Sequence, residues 1–157
     1  MAFMTYRIRG LDPNPYRPLM GLSDAALATK GASRMTVDSK PGFPCRVTLD
    51  DLEPGTSVLL LNHVSHEDGP YRASHAIFVS ESASAAADYE DSIPPALNRR
   101  ILSLRAFDED GMMIDARLAQ PGDADAAIRT MLADAAVDHI DAHNAVRGCF
   151  AARVERA

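Results

Sequence analysis

Long apolar runs are missing from this sequence. Nowhere do about 18 consecutive apolar residues occur, which excludes a membrane-crossing helix. Met1 to Arg7 holds no apolar stretch long enough for a signal peptide. Lysine is scarce, appearing only at Lys30 and Lys40, so the basic residues are almost all arginine. No Lys/Arg stripe with interleaved aromatics offsets the formal charge of −6, so neither nucleic acid nor an anionic membrane surface is an expected partner. Cysteine occurs twice, at Cys45 and Cys149, each in a strand-like apolar stretch where a free thiol behaves as a small hydrophobe. Usage this sparse fits a reducing compartment, in which a disulfide between the two is not expected. The reading is a cytoplasmic protein. Glycine-rich phosphate loops, nucleophile elbows, Cys-x-x-Cys pairs and internal repeats do not occur either.

What is present is an ordinary globular composition. The 157 residues, 46% hydrophobic and 24% charged, are enough for a core that folds without metal or disulfide. No linker divides the chain, so residues 1–157 read as one domain.

Patterning predicts an α+β fold, a mainly antiparallel sheet of about 7–8 strands with two helices. Phe3 to Gly10 reads as a first strand, and Ser23 as the N-cap of a short helix ending before Gly31. Cys45 to Leu49 reads as a strand after the Pro41-Gly42-Phe43-Pro44 break. Val58 to Val64 is apolar on both faces, the mark of a central strand, and His75 to Val79 is another strand. Residues 80–95, rich in Ser, Ala and acids, read as a surface loop. Ile101 to Phe107 and Met112 to Leu118 flank Asp108-Glu109-Asp110-Gly111 and form a hairpin, with Met112, Ile114, Ala116 and Leu118 sharing one face. Residues 123–136 carry an apolar stripe through Ile128, Met131, Leu132, Ala135 and Ala136 and read as a helix. Residues 57–63, 75–79, 101–107 and 112–118 are expected in one sheet. Connections too short for parallel crossovers make it antiparallel.

Several polar groups sit inside apolar segments. His63-x-x-His66 lacks the second ligand pair a zinc site needs. His139-x-Asp141 has the spacing of a facial iron triad, with His63 or His143 as a third ligand; a solvated edge strand has the same pattern. Arg46 and Arg72 are candidate anion clamps, or partners of nearby acids. Cys45, beside Arg46, is a nucleophile only if its thiolate is stabilised, and a buried inert thiol otherwise. Asp108, Asp110 and Asp115 lack a calcium-loop pattern and read as a solvated turn.

Taken together, Pro41 to Arg46, Glu53-Pro54-Gly55 leading to Leu59-Leu60-Leu61, Pro70-Tyr71-Arg72 with Ser74 to Val79, Gly111-Met112-Met113, and His143-Asn144-Ala145 with Gly148-Cys149-Phe150 resemble a bacterial family of domains of unknown function (number 1203). The resemblance covers nearly the whole chain and implies no activity. It puts weight on Cys45, Arg46, Tyr71, Arg72, His143, Asn144 and Cys149, and takes it from His66, His139 and Asp141.

The leading expectation is a small anionic ligand held in a polar pocket by Cys45, Arg46, Asn62, Tyr71, Arg72, His143 and Asn144. Arg46 or Arg72 is its clamp, and His143 and Asn144 are its hydrogen-bonding partners. The second is an enzyme, with His143 as general base or with a metal on His63, His139, Asp141 and His143. The third is an interaction module without chemistry. No cofactor and no stoichiometric zinc or iron are expected, and a homodimer is left open.

Overall fold

The computed structural model describes residues 4–157; Phe3, at the start of the first expected strand, lies outside them. Among these described residues, nine strands form two antiparallel sheets. The larger sheet orders β5 (Asp88–Glu90), β1 (Tyr6–Arg9), β9 (Phe150–Arg156), β8 (His139–Asn144), β6 (Leu102–Phe107) and β7 (Met113–Ala119). The smaller orders β2 (Ser33–Thr36), β3 (Ser57–His66) and β4 (Ala73–Ser80). The α+β class stands. The single sheet expected for 57–63, 75–79, 101–107 and 112–118 does not: β3 and β4 pair with each other and with β2, apart from β6 and β7.

Each sheet has its own apolar cluster. Helix α3 (Ala124–Leu132) lays Ala124, Ile128, Met131 and Leu132 over the large sheet, against Ile8, Leu104, Ile140 and Val154. It is shorter than expected, and Ala135 and Ala136 are exposed rather than part of the stripe. The reason lies at its C-terminus. Arg156 donates to the carbonyls of Leu132, Asp134 and Val137, satisfying the end carbonyls from outside the helix, and the Asp134 carboxylate accepts from Ala136 N. Helix α1 (Asp24–Thr29), capped by Ser23 Oγ accepting from Ala26 N, buries Leu27 against Leu59, Leu61, Ile77 and Val79 of the small sheet.

Cys45 to Leu49 is a turn, not a strand. Leu49 N donates to Cys45 O, and Leu49 has a positive φ of 57°. The turn rivets the two layers, sending Cys45 and Val47 into the small sheet's cluster and Leu49 into the large sheet's. The expected loop 80–95 contains β5, which pairs with β1, and leads into helix α2 (Pro95–Asn98). The β6–β7 hairpin forms as read, with a bulge between Ala106 and Phe107. Its shared apolar face is the exposed one, Leu118 reaching 66%, because β7 is a sheet edge and α3 covers the other face.

β8 is not an edge strand. It lies between β6 and β9, so the face bearing His139, Asp141 and His143 is buried.

Candidate functional site

The polar face of β8 and β9 meets the ends of β3 and β4 in a seam between the apolar clusters. All five histidines of the chain stand in it. The His63 ring lies 5.3 Å from Phe150, His75 lies 5.0 Å from His143, and His66 and His139 flank Phe107 at 4.7 and 5.4 Å. Arg153 spans the seam, binding Asp141 with Nε at 2.8 Å and Ser65 O with Nη2 at 3.0 Å. Burial, and then the Arg153 charge, hold the His63 pKa below its ordinary value; burial and Arg105 do the same to His75. His143 drops to about 4, mainly through burial, although its bond to Gly148 O opposes the shift. Burial thus favours the neutral form of His63, His75 and His143, and His143, at 2% exposure, is poorly matched to general-base work at pH 7.

One end of the seam opens into a cavity of about 720 Å³, a size suited to a small ligand. Its polar wall carries Arg46, His75, Arg100, Asn144, Arg147 and Cys149. The end of β8 brings Asn144 to it, the turn that follows brings Arg147 and Cys149, and β4 brings His75. Arg46 comes from the rivet turn. Its side chain is directed by Nε to Phe150 O at 2.7 Å and Nη1 to Pro44 O at 2.6 Å, while Nη2 donates to Cys149 Sγ at 3.2 Å. Asn144 Nδ2 points at the same sulfur from 3.6 Å.

Arg46 is 3% exposed and, among the described residues, has no carboxylate partner. That is an expensive arrangement, because buried charges are ordinarily paired. Burial pulls its pKa below the ordinary value and Arg100 pushes the same way, against the attraction of Cys149. Even so, a guanidinium stays charged at neutral pH. Arg100 is different: it holds the buried Asp51 with two bonds, at 2.6 and 3.1 Å. The exposed Arg147 makes no side-chain ion pair among the described residues, so the cavity wall carries two cations without acids.

The residues proposed from sequence divide accordingly. Arg46 and Asn144 line the cavity, and His143 sits just behind His75. Cys45 is buried in the small sheet's cluster, its sulfur accepting from Ser80 N at 3.3 Å. Asn62 is exposed and does not line the cavity. Tyr71 and Arg72 are at the β3–β4 connection, where Tyr71 packs edge-on to Phe107 at 5.9 Å, at the other end of the seam. Arg72 therefore does not share a wall with Arg46. Arg100 and Arg147 were not singled out by sequence, although Arg147-Gly148 was legible as a turn.

The metal alternative is also rearranged. His63 and His143 do not join His139 and Asp141; the side chain that does is His66, the ligand atoms of the three lying within 4.8 Å of one another. No described helix is long and apolar enough to cross a membrane. A family model described as protein of unknown function (DUF1203) matches residues 42–156, well over half of the chain and both ends of the seam. No curated protein and no solved structure matches it.

Proposed function

The chain belongs to the DUF1203 family of proteins of unknown function, and we propose from its geometry that it binds a small anionic molecule, a phosphate or carboxylate compound, in the cavity beside Arg46. The observation that carries this reading is a buried guanidinium with hydrogen-bonding partners but no counter-charge. An anion in the cavity supplies that charge. Cys149 Sγ marks where it would bind, since Arg46 Nη2 and Asn144 Nδ2 converge on that acceptor. Arg147, on a turn at the mouth, adds a second cation, and His75 adds a neutral imidazole able to donate. The apolar remainder of the wall, Leu60, Phe78 and Ile101 among it, suits a ligand with an organic body rather than a bare ion. The surface charge of −6 disfavours large polyanions and leaves the arginine pocket to small ones. Two free thiols are in keeping with a cytoplasmic setting.

The test is a calorimetric titration of the full chain with inorganic phosphate, a sugar phosphate and a small dicarboxylate. At least one should bind, and Arg147→Ala should weaken it by about tenfold, the loss of one exposed charge contact worth ~1.4 kcal/mol. Arg72→Ala should leave affinity unchanged. If all three compounds fail to bind, or if Arg147→Ala binds as the wild type does, the reading is wrong.

A further inference from the structure

The other end of the seam carries a different chemistry. His66 closes β3, His139 opens β8, and Asp141 follows two positions along the same strand face. Asp138 accepts from His139 Nδ1 at 2.8 Å. An ionised carboxylate only accepts, so Nδ1 is the donor, and in the neutral tautomer this leaves the lone pair on Nε2. That Nε2 is buried and has no hydrogen-bond partner, on a residue 9% exposed. It faces Asp141 Oδ1 across 3.9 Å. A metal cation is one occupant that would satisfy both groups at once.

The surroundings hold these groups as a metal site needs them held. Asp138 on Nδ1 is the outer carboxylate commonly found behind a ligating imidazole. Arg153 grips both oxygens of Asp141, at 2.8 and 3.3 Å, and fixes the plane of the carboxylate. Phe107 stacks on the His139 ring at an interplanar angle of 18° and contacts His66 on another side. Gly111 makes room for His66: a Cβ there would come within 3.1 Å of Nε2. The adjoining cleft, about 490 Å³, has Glu67, Asp68, Glu109 and Asp110 on its rim, a field that concentrates cations.

We propose that His66, His139 and Asp141 bind one divalent transition-metal ion of the zinc or iron(II) class, with its remaining coordination positions open to this cleft. Two imidazoles and one carboxylate suit both ions. Ligand atoms around a tetrahedral ion lie about 3.3 Å apart, so the trio must draw in by a fraction of an ångström to about 1.5 Å, within the reach of side-chain rotation at His66. This departs from the expectation of no metal. Spacing alone offers His139 and Asp141 with His63 or His143 as the third ligand; the fold brings His66 there instead.

Chelator-stripped full-length protein, titrated by calorimetry with zinc and, anaerobically, with iron(II), tests the site. One equivalent of at least one ion should bind, and His66→Ala and His139→Ala should each weaken it by at least about tenfold. His143→Ala, outside the trio, should leave affinity within about twofold. His66 is only half-buried, so its variant keeps the test valid if His139→Ala does not fold; circular dichroism reports which do. Absence of binding by both ions overturns the proposal. So does binding that His66→Ala leaves unchanged, which would put the ion elsewhere.

Discussion

Replacing Arg46 with methionine keeps much of the side chain's bulk and removes its charge. Three acceptors lose a charged donor: Phe150 O, Pro44 O and Cys149 Sγ. Bonds from a charged group contribute about 1.5–3 kcal/mol each. Two of the three, to Pro44 and Cys149, are only partly buried beside the cavity, where water can replace the donor. The Phe150 bond is buried and is the one lost outright. Relief of a buried charge works in the other direction, and in a dry interior it can exceed the loss. Here the relief offsets part of the three-bond loss, and a net destabilisation of about 2 kcal/mol is expected. For a chain of this length that is a fall of about 4–8 °C in melting temperature. With a bound anion at about 100 times its Kd the wild type should gain a further ~2.7 kcal/mol and the variant almost none, so the gap should roughly double. Differential scanning calorimetry, with and without ligand, reads both quantities. A methionine variant that melts at or above the wild-type temperature would refute the hydrogen-bond accounting. A gap that ligand does not widen would refute the role given to the charge.

Two further outcomes follow from the scaffold. Removing residues 1–41, which lie outside the family-matched segment, should abolish cooperative thermal unfolding. It takes β1 from between β5 and β9 and strips Tyr6 and Ile8, both fully buried, from the core; a truncated chain with a sharp transition would count against this. Glu81 accepts two bonds from Arg34, one from Gly21 N and one from Ser57, and the Arg34 bonds foremost draw its pKa from 4.5 to about 2. Its contribution is present above pH 4.5 and fades as pH falls toward 2, so the urea midpoints of wild type and Glu81→Gln should differ at pH 7 and converge in acid. A difference independent of pH would show that the charge on Glu81 is not what stabilises.

Much of this fold is legible locally. The β6–β7 hairpin follows from alternation around Asp108 to Gly111, and α3 from the Ile128, Met131 and Leu132 stripe. What escapes is whatever depends on distant partners. β5 is Asp88-Tyr89-Glu90, three residues with one apolar member, and only pairing with β1 some 80 residues away makes it a strand. Cys45 to Leu49 looks like a strand because its apolar residues are real, but they enter two different clusters through a turn. The division into two sheets has no counterpart in any window of sequence. The site behaves likewise. Arg46 and Asn144 stood out as polar groups in apolar company, and that company does place them on a wall. Arg72 sat in an equally suggestive stretch, yet its turn carries it to the other end of the seam. In sequence His66 pairs only with His63 as His-x-x-His, because its spatial partners are more than 70 residues away, on the far side of the β6–β7 hairpin.

The seam has a mechanical consequence. Each sheet closes on its own helix and apolar cluster, whereas contact across the seam mixes histidine rings with Phe107, Phe150 and Tyr71, arginine bonds and the rivet turn. Parting the layers there would leave most of each apolar cluster in place, so it should cost less than unfolding either one. Amide hydrogen exchange should accordingly resolve two slow sets of protons, one in β3 and β4 and one in β6, β8 and β9, with opening events that reach both the cavity and the histidine cleft before either set is released. Entry to the two sites would then be governed by one motion.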